Sequence, residues 1–148
     1  MNWAKIEPDA YTAMVALERY VRGSGLDKKL VELVKLRASQ INQCAYCIDM
    51  HWKDLRAEGE TEQRLYGLNA WRESPYYTDR ERAALEWTEA VTVLTDGFVP
   101  DELYERVLIH FTEADLVKLT MAIIVINGWN RLSVSFRGVP GQYQPAAK

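Results

Sequence analysis

Two cysteines and a histidine fall within eight residues, Cys44-Ala-Tyr-Cys47-Ile-Asp-Met-His51; the chain has no other cysteine and one other histidine, His110. On a helix, a spacing of three brings the two sulfurs to one face, and His51 follows Cys47 by one further turn on that face. A dithiol so placed can lose a proton, close to a disulfide and be reduced again. Three other uses compete with this one. A purely stabilising disulfide suits the spacing poorly, because so small a loop removes about 2 kcal/mol of unfolded-chain entropy, against about 5 kcal/mol for a hundred-residue loop. A zinc site of Cys44, Cys47 and His51, with His110 as the remaining imidazole, lacks the second close pair that structural sites bring. Two inert buried cysteines are the third. The redox dithiol is preferred, and no metal is expected.

Thiolate, not thiol, attacks a peroxide or disulfide, so one sulfur must ionise near neutral pH. Cys44 opens its helix, where backbone N–H groups and the helix dipole favour negative charge. Cys47 instead has His51 as a proton acceptor one turn away. The two arguments select different sulfurs, and the order of attack stays open. Glu32, twelve residues before Cys44, also has two readings. Lys28 and Lys35 at i−4 and i+3 would make it a solvated ion-pairing face worth a few tenths of a kcal/mol. Its place between Val31 and Leu33 would instead aim it across a helix pair at His51, fixing the tautomer of that imidazole.

The elements that must hold these groups read as helices throughout. Asp9 to Arg22 carries helical apolar spacing and ends at Gly23-Ser-Gly25. Asp27 caps a second helix reaching Ile41. The motif helix runs from about Cys44 to Glu58, with Gly59 as its C′ residue. Thr61 starts a short helix toward Trp71. Thr78-Asp-Arg-Glu81 is a capping box opening a helix to about Leu94. Pro100 suits the first turn of another, to about Phe111, and Thr112 caps the longest, to about Phe136. No stretch alternates apolar and polar residues as a strand would. The expectation is an all-α, single-domain bundle of about six to seven helices over residues 1–148, with 138–148 as an arm or loop. Trp52, Trp71, Tyr76 and Tyr77 belong to an aromatic surplus that suits either the core or a subunit interface.

Composition removes several classes of function. A net charge of −3 gives no basic footprint for nucleic acid or anionic membrane. The longest apolar run, Met121 to Ile126, is far too short to cross a bilayer. No basic stretch leads into an apolar leader segment, so a cytoplasmic location is expected. No Gly-rich phosphate loop is present, and Ile48 rather than histidine follows Cys47, so neither nucleotide nor c-type haem is expected and no cofactor is assigned.

Glu32, Cys44-x-x-Cys47 and His51 at these spacings, with the later Asp115-Leu-Val-Lys-Leu-Thr-Met-Ala and Ile-Asn-Gly-Trp-Asn-Arg131 segments, resemble the alkylhydroperoxidase D (AhpD) family of the carboxymuconolactone decarboxylase superfamily. The resemblance spans nearly the whole chain and implies a thiol-dependent peroxidase acting in antioxidant defence. By that likeness Cys47 would be peroxidatic and Cys44 resolving, with His51 and Glu32 as a proton relay. It also implies a hydroperoxide substrate, a dithiol reductant such as a lipoylated protein, and a trimeric or hexameric homo-oligomer. Well-studied peroxidases of the family carry histidine where this chain has Tyr46. A phenol with a pKa near 10 cannot accept that proton at neutral pH but can donate a hydrogen bond. Two alternatives stand beside this reading: a non-enzymatic redox-sensing module, and a decarboxylase-like enzyme of unknown substrate.

Overall fold

The computed structural model describes residues 1–145, and every regular element among them is helical. The helices are α1 (Trp3–Ile6), α2 (Pro8–Arg22), α3 (Lys28–Ile41), α4 (Ala45–Ala57), α5 (Glu62–Tyr66), α6 (Asp79–Thr92), α7 (Asp101–Leu108) and α8 (Glu113–Ser135), with a 3-10 turn at Leu68–Ala70. Their starts follow the capping chemistry. Asp27 accepts from the Leu30 N–H at 2.8 Å, Thr78 and Glu81 close a reciprocal capping box, and Thr112 accepts from Asp115 N–H. Gly59, past the end of α4, takes φ +83°, the left-handed value that a C′ residue requires.

Three boundaries differ from expectation. The helix expected from Thr61 to Trp71 divides at Gly67, which caps α5; a Cβ there would meet the Gln63 carbonyl oxygen at 3.0 Å. The next turn then tightens to 3-10. α7 stops at Leu108 rather than near Phe111, because the chain must reverse before the Thr112 cap and Phe111 is drawn into the core. α1, a single turn capped by Asn2, is too short to carry an apolar period.

α3 is the central element. Leu30 through Leu36 are all buried, and α4, α6 and α8 pack around them. On one side, Leu30 and Val34 meet Trp87 of α6, Val107 of α7 and Leu119 and Ile123 of α8. On another, Leu33 and Leu36 meet Leu55 of α4 and Leu85 of α6, with Leu65, Leu68, Trp71 and Tyr77 from the connecting segment. Trp71 and Tyr77 thus belong to the core, Trp52 packs partly buried against it, and Tyr76 is exposed. α8 packs against α2, α3, α4, α6 and α7, which explains why it is apolar on more than one face. No helix among the described residues is long and apolar enough to cross a membrane.

Candidate active site

The turn between α3 and α4 sets the position of the cysteines. Asn42 ends α3, and Gln43 takes φ +53°, a left-handed value for a residue with a side chain. The Cys44 N–H then donates to the Ser39 carbonyl at 3.0 Å, and Cys44 becomes the N-cap of α4, its Sγ accepting from the Cys47 N–H at 3.3 Å. This turn is clamped from α8: the Asn42 amide donates to Asn127 and Asn130 at 2.9 Å each, and buried Asn130 donates to the Ser39 hydroxyl at 3.0 Å. Cys44 and Cys47 are joined as a disulfide, with Cα atoms 5.3 Å apart. Both are buried against Ala38 and Ile126, and Tyr46 and Trp129 cover that cluster.

Glu32 and His51 meet across the α3–α4 pair. His51 Nδ1 lies 2.6 Å from Glu32 Oε2, and both residues are buried. Burial alone would push the Glu32 carboxyl up, but the hydrogen bond and charge of His51, with Lys35 behind them, hold it below its ordinary value. Glu32 is therefore a carboxylate that accepts, so Nδ1 carries the proton. His51 Nε2 is buried and has no protein partner among the described residues. In the neutral ring that nitrogen carries the lone pair. The solvated-face reading of Glu32 gives way: Lys28 turns to Glu58 instead, and Lys35 is itself buried.

A cavity of about 500 Å³ opens beside this pair, with Cys47, His51, Glu32 and Tyr46 in its wall. Cys44 is not part of that wall. One side is aromatic: Trp129 and Tyr11 meet edge-on at 6.1 Å between ring centres, and Trp3 of α1 packs on both. The other side is charged, formed by Glu18, Arg19 and Arg22 of α2, Lys35 of α3 and Asp54 of α4. The C-terminal arm closes a third side. Gly141 N–H donates to Asp49 at 3.0 Å, Lys53 donates to the carbonyls of Gly141 and Tyr143, and the Tyr143 hydroxyl donates to Asp54 at 2.7 Å. Burial and the Asp54 carboxylate push the Tyr143 phenol well above its usual range, so it stays a donor. The part of the expected arm from 146 to 148 lies outside the described residues.

Ligand-type atoms of Glu32, His51 and Asp54 lie within 4.8 Å of one another. This set is already matched by protein groups: Glu32 faces the Lys35 ammonium at 3.8 Å, and Asp54 accepts from Tyr143. Neither cysteine nor His110 joins it, so the four ligands weighed from sequence are not brought together as a cluster.

The carboxymuconolactone decarboxylase family model matches residues 8–90, covering α2 through most of α6 and including Glu32, both cysteines and His51. The chain belongs to the carboxymuconolactone decarboxylase family. It is 44% identical over 135 residues to the uncharacterised protein YdfG of Bacillus subtilis strain 168, covering 91% of this chain and 92% of that one. A solved Agrobacterium tumefaciens protein of unknown function, named for AhpD and antioxidant defence, shares 46% identity at a TM-score of 0.91, covering 99% and 98% of the two chains. The debrominase Bmp8, at 16% identity and a TM-score of 0.83 over 93% of this chain and 74% of that one, shares the fold. This member of the carboxymuconolactone decarboxylase family is thus AhpD-like in fold and all-α.

Acid should weaken the structure through carboxylates held by buried or partly buried partners, one in the cavity wall and one at the start of α6. Burial raises the carboxyls of Glu18 and Glu81, but Lys35 and Arg22 for the first, and Arg64 and Thr78 for the second, outweigh it and hold both below 4.5, as His51 and Lys35 hold Glu32. A carboxyl lowered in the folded state contributes stability that is complete above its unfolded value and is lost as pH falls through the folded one. Urea unfolding is therefore expected to show a plateau from about pH 7 to about pH 5 and a decline below about 4.5. A Glu18→Gln, Glu81→Gln double variant should flatten that decline, and an equally steep one would remove these carboxylates as its cause.

Proposed function

We propose that the protein is a thiol-dependent peroxidase that reduces hydroperoxides through Cys47, Cys44, His51 and Glu32. The observation that carries this reading is the 2.6 Å Glu32–His51 pair in the wall of the same cavity as Cys47, one turn along α4 from it. Cys47 lines that cavity and Cys44 does not, which supports Cys47 over Cys44 as the attacking sulfur. In the first step His51 Nε2 takes the Cys47 proton, and Glu32 stabilises the imidazolium through Nδ1. The Cys47 thiolate then attacks one peroxide oxygen and the O–O bond breaks. Sulfur gains the hydroxyl of a sulfenic acid, and the alkoxide leaves as alcohol with the proton held by His51. Cys44 attacks the sulfenic sulfur, expelling water and forming the Cys44–Cys47 disulfide. A dithiol reductant, for which a lipoylated protein is the candidate, returns both thiols and becomes a disulfide itself. Tyr46, in the cavity wall, serves as a hydrogen-bond donor to a peroxide oxygen. We further assign the protein to the reducing cytoplasm, as a homo-oligomer.

The test is mass spectrometry of alkylated protein before and after one equivalent of hydroperoxide. Both thiols are expected to vanish together into one internal disulfide, and excess dithiol should restore them and sustain turnover. Disulfide formation without turnover would replace the peroxidase by a redox sensor. Two unreacted thiols would dispose of both.

A further inference from the structure

Lys35 is buried to 1% exposure one turn after Glu32 on α3, in the wall of the site rather than at its edge. Its Nζ lies 2.5 Å from Glu18 Oε1 on α2 and 3.8 Å from Glu32 Oε1. Taking an ammonium out of water is costly, and an apolar side chain of similar volume would fill the space without that cost. The geometry points to a use for the charge. Glu32 spends Oε2 on His51 and turns Oε1 toward Lys35. The last torsion of a glutamate is broad, so a carboxylate held at one oxygen alone can swing its plane away from the imidazole. A cation at the other oxygen fixes that plane. Lys35 is fixed in turn by Glu18, which Arg22 also holds at 3.2 Å.

We propose that Lys35, seated by Glu18, is a positioning residue that holds the Glu32 carboxylate against His51 and thereby sets the reactivity of Cys47. The inference rests on the reading of Glu32 and His51 as the pair that handles the Cys47 proton. Charge balance supports its direction. From α2 the cavity receives Glu18, Arg19, Arg22 and the Tyr11 phenol; from α4 it receives Asp54 and the Tyr46 phenol beside His51. The arm adds the Tyr143 phenol, whereas α8 brings only the uncharged Trp129 and Ser133. Three cations, Arg19, Arg22 and Lys35, thus face three carboxylates, Glu18, Glu32 and Asp54. Removing the Lys35 charge leaves the cavity net negative, which disfavours a thiolate.

The test is the rate of Cys47 alkylation against pH, in a reduced Cys44→Ser background that isolates one sulfur and needs no peroxide. Lys35→Met is expected to move the midpoint up by about one pH unit, about tenfold in thiolate at neutral pH, and Lys35→Arg should keep most of the reactivity. The exchanged pair Glu18→Lys/Lys35→Glu separates positioning from simple support. It should recover thermal stability, since the two side chains still pair, yet remain slow, because a carboxylate at position 35 now faces Glu32. Recovery of both stability and rate would overturn the proposal, as would an unchanged midpoint in Lys35→Met. Should that variant fail to fold, Lys35→Gln, which keeps a polar partner for Glu18 but removes the charge facing Glu32, is expected to shift the midpoint in the same direction; no shift would overturn the proposal. Glu32→Gln separates the two levels. A shift there without one in Lys35→Met defeats the Lys35 inference alone, whereas no shift in Glu32→Gln removes the proton-pair reading and this inference with it.

Discussion

Replacing Cys47 with serine is expected to lower the peroxide-reducing rate at least about a thousandfold, the scale on which removal of a nucleophile acts. A serine hydroxyl is not ionised near neutral pH and is a poor nucleophile toward a peroxide oxygen, whereas a thiol needs only a modest shift to become reactive. Cys44→Ser should behave differently. It leaves the cavity-facing sulfur in place, so one turnover proceeds and stops at the sulfenic acid, which a dimedone-type trap would capture at Cys47. Peroxide consumption with a small dithiol measures the first variant, and single-turnover trapping measures the second. Equal consumption by wild type and Cys47→Ser would end the peroxidase reading. A trap found at Cys44 in place of Cys47, in the reciprocal variant, would reverse the order of attack.

Ile126→Ala is expected to cost about 2–5 kcal/mol of folding stability, because the side chain is wholly buried and its neighbours can collapse only in part. The position matters beyond its size. Ile126 of α8 lies against Ala38, Cys44 and Cys47, forming the floor on which the cysteine turn rests. A void there lets that turn settle away from the Glu32–His51 pair, so peroxide turnover should fall together with stability. Leu103→Ala provides the contrast. Leu103 is buried in the separate cluster formed by α3, α6, α7 and α8, so it should lose comparable stability while the surviving folded protein turns over normally. Urea unfolding and rates per folded molecule, measured on both variants, check this. If both lose the same share of rate, the floor has no special role.

Much of this arrangement is written locally. Asp27, Thr78 and Thr112 announce their helices because a cap is a contact over three residues, and the sequence alone reveals it. The dithiol is legible for the same reason, since three- and four-residue spacings on one helix translate directly into a shared face. Glu32 sits at the margin: position among apolar residues made it a candidate, but Lys28 and Lys35 offered an equally good surface explanation. The structure divides those lysines, sending Lys28 to Glu58 and burying Lys35 between two carboxylates. Nothing local distinguishes them. Glu18 was invisible for a related reason, because its partner lies 17 residues away on another helix. The Tyr143–Asp54 contact spans 89 residues and joins an arm without periodicity to the motif helix. Such pairings depend on how helices pack, which a reading of spacings within each helix does not contain. The divided helix at Gly67 and the early end of α7 are failures of another kind, where chain reversal overrode local helical preference.

The arm has a consequence for how such a protein can change over time. The groups proposed to do chemistry lie on α3 and α4, whereas part of the wall of the chamber they face is Tyr143 of the arm, which is attached through Asp49, Lys53 and Asp54. Chamber wall and reactive sulfur are therefore separately heritable. Substitutions in the arm can alter the size and polarity of what reaches Cys47 without disturbing the cysteine turn or its histidine. A lineage could change what enters the cavity by editing Tyr143 and its neighbours in the arm, while the residues proposed for the thiol chemistry stayed unchanged.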